Sequence, residues 1–196
     1  MHDTKKHPQI QSLTLQTAWL SVLGVGIVTV AALRAMGRIW YCICGYIKLW
    51  QGETWSSENS QHITDWYTFS HLIHGFIFYW LTQKFLPKWS VGSRLLLSIV
   101  VECAWEILEN SPIIINRYRT TTISLDYFGD SIINSSADIL AALLGFWLAR
   151  KLPVWLSIVL IIAMELGVGY MIKDNLLLNI IMLIYPFGAI KSWQMQ

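Results

Sequence analysis

Leu95-Leu96-Leu97-Ser98-Ile99-Val100-Val101-Glu102-Cys103-Ala104-Trp105-Glu106-Ile107-Leu108-Glu109 is the stretch on which the fold turns. Its apolar residues suit a helix in a bilayer, yet Glu102, Glu106 and Glu109 fall on one helical face. An acidic group near the bilayer centre costs roughly 2.5–3.5 kcal/mol on insertion scales; such residues face a bundle interior and mark a pathway or a reactive site. The stretch therefore predicts both a membrane helix and a buried polar site.

Composition agrees with that reading. The chain has 196 residues, 55% hydrophobic and 13% charged, too apolar for an ordinary soluble domain and long enough for about five or six spans. The expected fold is all-α, a polytopic membrane helix bundle forming one domain over 1–196. A net charge of +2, with no basic run interleaved with aromatics, argues against nucleic acid. Eleven Trp and eight Tyr suit the interfacial belts of a bilayer.

Further apolar runs read as spans at 13–33, 66–85, 92–109, 127–149 and 153–172. The first follows Lys5 and Lys6, but it is longer than a signal-peptide core and Ala32-Leu33-Arg34-Ala35 is a poor cleavage site, so a retained helix is expected. A last segment, 176–190, is interrupted by Pro186 and Gly188 and reads as a short span, a re-entrant piece or an interfacial helix. Pro112 after Ser111 marks a short helix over about 111–125, and Asp130-Ser131 reads as a helix start.

Lys and Arg favour cytoplasmic loops. An N-terminus inside puts eight there (Lys5, Lys6, Lys84, Lys88, Arg94, Arg150, Lys151, Lys191) and six outside (Arg34, Arg38, Lys48, Arg117, Arg119, Lys173). That orientation carries His71 and His74, the outer end of the glutamate helix, and Asp130, Asn134 and Asp138 into one outer leaflet. The loop at about 34–65, with Trp40, Tyr41, Trp50 and Trp55, is expected to lie along the outer interface and cap the cavity; its His62, Glu58 and Asp65 are secondary candidates.

Imidazoles and carboxylates on successive helical turns can aim at a common point. His71, His74, Glu106, Asp130 and Asp138 are the candidate ligands for a divalent metal, with zinc, manganese or iron suited to the mixture. A metal-free hydrogen-bonded network clamping the helices stays open beside it. For acid–base chemistry Glu106 is the expected base, with His74 and Glu109 beside it; either Glu102 or Glu109 could be structural, Glu102 then as a partner of Ser98 or of another polar group. Arg117 and Arg119 would bind the phosphate of an anionic lipid or lipid-linked substrate, or merely neutralise the carboxylates, and Asn134 is a further substrate contact. Gly129-Asp130-Ser131 lacks the strand–turn–helix context of a nucleophilic serine. Cys42 and Cys44 are badly spaced for an easy disulfide, and Cys103 reads as core packing.

Arg38 to Gly45, Ser56 to His62, Asp65 to His71, Trp105 to Pro112 and Gly129 to Ser135 together resemble an uncharacterised proteobacterial inner-membrane family, a domain of unknown function. The resemblance covers nearly the whole chain beyond residue 30 and implies a bacterial inner membrane, with no activity attached. More distantly the chain is similar to VanZ-like and YjdF-like small membrane proteins, on His71, Glu106 with Glu109, and Asp130 with Asp138, with Asn134 where an acid would stand. Three functional classes remain. One is an intramembrane hydrolase or transferase on a lipid or lipid-linked envelope substrate, with its site facing the periplasm. Another is a small proton-coupled transporter or lipid carrier, needing an inner route for which Glu165, Asn179 and Lys191 are the polar groups. The last is a structural or assembly protein.

Overall fold

The computed structural model of the chain describes residues 13–122 and 126–196. Among them run eight helices: α1 (Leu15–Ala35), α2 (Thr68–Phe85), α3 (Val91–Glu109), α4 (Pro112–Thr121), α5 (Ile132–Lys151), α6 (Val154–Ile172), α7 (Leu176–Ile184) and α8 (Gly188–Gln194). The only strands among these residues, β1 (Trp50–Gln51) and β2 (Thr64–Asp65), form one short parallel pair. Three helices, α1, α5 and α6, are long and apolar enough to cross a membrane. At 18 and 19 residues α2 and α3 are of similar length, but their histidines, glutamates and Arg94 dilute the apolar pattern.

Side-chain caps set most of the helix starts, because the first N–H groups of a helix lack internal partners. Thr14, Ser90, Ser131 and Asn175 each accept from the backbone N–H three residues on. Ser131 also donates to the Gln61 carbonyl at 3.1 Å, so its hydroxyl is a cap and a tie. Pro112 opens α4 at its first turn. This helix ends at Thr121, and residues 123–125 of the stretch expected to be helical lie outside the described residues, as do Lys5 and Lys6.

The closest helix contact joins α2 to α5. A Cβ on Gly75 would stand 2.0 Å from the Ala142 carbonyl oxygen, and one on Gly145 would stand 2.1 Å from that of Leu72. Small residues let the two backbones touch, as in membrane helix pairs. Leu95, Ile99 and Cys103 of α3 pack with Ile139 and Phe146 of α5 in the buried core. α1 lies against α3, with Ser90 Oγ donating to the Leu13 carbonyl at 2.8 Å. α6 is outermost, with Val168 its buried residue.

These contacts give the bundle two ends. The starts of α2 and α5 and the end of α3 share one end, joined there by α4 and the 36–67 loop. Lys84, Lys88, Arg94, Arg150 and Lys151 lie toward the other, where α2 ends, α3 begins and α5 ends. The C-terminal segment breaks at Tyr185-Pro186-Phe187. With nine residues, α7 reaches only about 14 Å and cannot span a bilayer. It folds back on the α4 end: Arg117 Nε and Nη2 donate to the Leu183 and Ile184 carbonyls at 2.9 and 3.2 Å, and Lys191 Nζ donates to the Thr120 carbonyl at 2.9 Å. Lys191 therefore belongs at this end, not with the loops at the opposite one.

The loop leading from α1 is folded onto α5. Ile132 and Ile133 N–H groups donate to Ile39 and Trp40 carbonyls at 2.8 and 3.1 Å, and Gln61 Nε2 donates to the Gly129 carbonyl at 2.8 Å. Arg38 Nη1 donates to the Phe128 carbonyl. At Gly129 the positive φ of +96° favours glycine, and a Cβ there would also displace Arg38 Nη1. Glu58 clasps the loop through Lys48 at 2.6 Å, Tyr46 at 2.6 Å and His62 at 3.0 Å, and these partners, Lys48 first, hold its carboxyl down to about 2. Cys42 and Cys44 are disulfide-bonded, contrary to the expectation from their spacing. The turn closed by Gly45 N–H on the Cys42 carbonyl (3.2 Å) puts the two Cα atoms 5.1 Å apart, within bridging reach.

Candidate functional site

His71 and His74 occupy the first turns of α2 and meet the last turns of α3. Their Nδ1 atoms both address Glu102: His71 Nδ1 lies 2.6 Å from Oε1 and His74 Nδ1 lies 3.1 Å from Oε2. One carboxylate therefore orients two imidazoles, as a carboxylate does behind metal-bound or general-base histidines. Glu102 is not a partner of Ser98, whose hydroxyl instead donates to the Arg94 carbonyl at 2.8 Å. Sequence spacing could not reveal this role, because α3 presents its glutamates on one face and only the approach of α2 selects which of them meets the histidines.

Two further acids approach His71, Glu106 at the same nitrogen as Glu102 and Asp138 at the opposite one. Glu106 Oε1 is 3.3 Å from Nδ1, and Asp138 Oδ2 is 4.0 Å from Nε2. Glu106 is fully buried, and neither of its oxygens has a hydrogen-bond partner within the protein; Asp138 Oδ1 has none either. Unpartnered buried carboxylate oxygens cost free energy unless something else satisfies them. One ligand atom from each of His71, Glu106 and Asp138 lies within 4.8 Å of the others, and the same holds for His71, His74 and Glu102. Donors at ~2.1 Å from one ion stand about 3–4.2 Å apart, so a small closing movement completes the first set.

The remaining candidates divide between nearby positions. Asp130 is turned away from the histidines: Asn110 Nδ2 donates to its Oδ2 at 3.0 Å and Tyr127 Oη to its Oδ1 at 2.9 Å. Glu109 accepts from Tyr118 Oη at 2.8 Å. Asn134 Nδ2 approaches Asp65 Oδ2 at 3.4 Å, and Asp65 Oδ1 accepts the Tyr67 N–H at 2.8 Å. Burial raises the carboxyl of Asp65 and the phenol of Tyr118. Arg117 caps the C-terminus of α7, and Arg119 Nε donates to the Tyr127 carbonyl at 2.5 Å. Both guanidiniums are thus committed to backbone carbonyls.

Two cavities meet at the cluster. One of about 30 Å³, enough for a water or an ion, is lined by His71, Asp130, Asn134 and Asp138 among others, and Asn59 and Ser60 of the loop close it. A second of about 340 Å³ runs from His71, His74, Glu109 and Tyr118 along apolar residues of α2, α3 and α7. His74 therefore stands between Glu102 and a largely apolar space. Asn179, which lines both cavities, was absent from the site as read in sequence, because nothing local ties α7 to α2.

The three groups reserved for a route to the opposite end lie elsewhere. Glu165 accepts the Leu176 and Leu177 N–H groups at 3.1 Å each, capping α7; Asn179 lines the cavities; Lys191 binds α4.

Comparison with known proteins places this geometry in a family. UPF0314 proteins of Rhizobium meliloti (strain 1021), Sinorhizobium fredii (strain NBRC 101917 / NGR234) and Paracoccus denitrificans (strain Pd 1222) are 54%, 54% and 52% identical to the chain, covering 89%, 90% and 86% of it and 89%, 90% and 88% of their own lengths. No solved structure matches it. Residues 33–196, which hold every candidate residue named above, match the family described as "Protein of unknown function (DUF2585)", and the chain belongs to that family.

Proposed function

We propose that the chain is a multi-pass protein of the bacterial inner membrane that holds a divalent cation at His71, Glu106 and Asp138 and uses it in hydrolysis or group transfer on a lipid substrate. The observation that carries this reading is the buried trio itself: an imidazole oriented by Glu102 beside two carboxylates whose oxygens, Glu106 Oε1 and Oε2 and Asp138 Oδ1, accept no hydrogen bond among the described residues. A cation satisfies those oxygens and removes the repulsion between the acids. A divalent ion held by His71, Glu106 and Asp138 would lower the pKa of a water beside it and so supply a nucleophile. His74, held by Glu102, is the group positioned to take or return a proton on the cavity side.

Five helices, α1, α2, α3, α5 and α6, with lengths of 18–21 residues, are the expected spans. With Lys191 at the α4 end, the Lys and Arg distribution no longer favours either end. The Cys42–Cys44 disulfide supports an oxidising compartment for the α4 end, hence a periplasmic site and a cytoplasmic N-terminus. A transporter is disfavoured because Glu165, Asn179 and Lys191 all serve the α4 end.

Elemental analysis of detergent-purified protein tests the metal. About one zinc, manganese or iron per chain is expected, lost in Glu106→Gln and Asp138→Asn but retained in His74→Ala; removing the orienting carboxylate in Glu102→Gln weakens affinity roughly 10–100-fold. Metal-free wild type after supplementation with all three ions, with a melting temperature indifferent to chelator, would falsify the proposal.

A further inference from the structure

We infer that the larger cavity takes the single hydrocarbon chain of a lipid whose head is uncharged, an ester, amide or alcohol, and that the chain enters sideways between α2, α3 and α7. The inference rests on the proposed site being the polar end of this cavity.

Size and lining point to a chain. At about 340 Å³ the cavity has more than twice the volume of a ~150 Å³ apolar cavity that binds benzene. Its walls are Ile77 and Phe78 of α2, Val101 and Trp105 of α3, and Ile180 and Leu183 of α7. Ile77, Val101 and Ile180 are also among the residues whose side chains reach the outside of the bundle, at 36%, 44% and 44% exposure. The cavity is therefore walled by residues that also line the flank of the helices, the direction from which a bilayer lipid arrives. A water-soluble substrate would gain nothing from such walls, whereas each buried CH₂ contributes about 0.8 kcal/mol.

Charge selects the head. No lysine or arginine lines either cavity among the described residues. Arg117 and Arg119, the cations closest in sequence, are bound to carbonyls of Leu183, Ile184 and Tyr127. The polar end instead presents Ser70, His74, Asn179, and Tyr118 donating to Glu109. Two carboxylates neutralise the charge of a divalent ion, and Glu102 and Glu109 remain beside it. A phosphate head would find no lysine or arginine there to pair with, whereas a carbonyl or hydroxyl can use the imidazole and the hydroxyls as hydrogen-bond partners.

Photolabelling of the full-length protein in nanodiscs tests this. The probes are a sixteen-carbon alkyl amide and an alkyl phosphate of equal length, each with a diazirine near the chain end, with metal content measured on the same samples. The amide is expected to label peptides containing Val101, Trp105 and Ile180. Labelling should fall roughly tenfold, about 1.4 kcal/mol, in Ile180→Trp and in Val101→Trp, which fill the cavity from different walls. Leu166→Trp on the exposed face of α6 should leave it unchanged. Even labelling of α1 and α6 that is indifferent to both cavity variants, or preferential labelling by the phosphate, overturns the inference. Metal present with labelling absent counts against the chain pocket alone, and labelling present with metal absent counts against the metal centre alone.

Discussion

At the scale of single residues, burial decides which acids act and which brace. Asp174, 1% exposed, accepts from Tyr67 Oη at 3.2 Å, Asn179 Nδ2 at 3.4 Å, Gln194 Nε2 at 3.3 Å and its neighbour's N–H at 3.0 Å, tying α2, α7 and α8 together. Burial nonetheless raises its carboxyl from 3.8 to about 6. An acid raised in the fold binds its proton more tightly folded than unfolded, so its contribution favours folding at low pH and is lost as pH climbs from about 3.8 to about 6. At about 1.4 kcal/mol for each factor of ten, the loss approaches about 3 kcal/mol at neutral pH. Denaturant titrations between pH 3 and 7 should show this slope in the difference between wild type and Asp174→Asn; a difference that stays flat with pH refutes it. In the sequence Asp174 reads only as a loop acid between two apolar segments, because the donors that converge on it come from other places in the chain. The partner of Glu102 was open in the sequence for the same reason. The Ser98 partner suggested for it by one helical turn is local, while the two histidines come from another helix.

At the scale of elements, the site depends on how closely α2 approaches α5. His71 lies one turn before Gly75, and Asp138 lies two turns before Gly145 on the facing helix. Adding a methyl at Gly145 forces a clash at 2.1 Å with the Leu72 carbonyl, which cannot move without opening the helix. Gly145→Ala is therefore expected to destabilise the protein by about 1–3 kcal/mol and to lower metal content by separating His71 from Asp138. Gly24→Ala in α1, with nothing within 4 Å of the added carbon, is the control and should melt at or slightly above the wild-type temperature. Equal melting of the two variants would show that the α2–α5 contact is not tight. The helices themselves were legible: the expected runs at 66–85, 92–109 and 153–172 differ from α2, α3 and α6 by one or two residues at their starts. The run at 127–149 begins five residues before α5, because Tyr127 to Asp130 bind Arg38 and Asn110 instead of opening a helix, whereas the helix start read at Asp130-Ser131 matches the Ser131 N-cap.

At the scale of the molecule, the fold-back of α7 and α8 sets both the side on which the chain ends and the wall of the larger cavity. Five spans put Lys191 across the membrane from Lys88, whereas six would put them together. With Cys103→Ser as background, an impermeant maleimide applied to intact cells should label Lys191→Cys and not Lys88→Cys. Labelling of neither, with both reacting after lysis, would restore the sixth span. From periodicity and composition alone, the all-helical class, the main helix boundaries and the polar stripes on α2, α3 and α5 could be read, because each is a property of neighbours along the chain. Long-range packing supplied the rest: the bridge from Glu102 to both histidines, the commitment of Arg117 and Arg119 to carbonyls, the Cys42–Cys44 bond and the return of the C-terminus to the α4 end. A helical stripe states which residues share a face but not how far that face is rotated or raised against the next helix, and that offset is set by where glycines let backbones touch and where buried polar groups find partners.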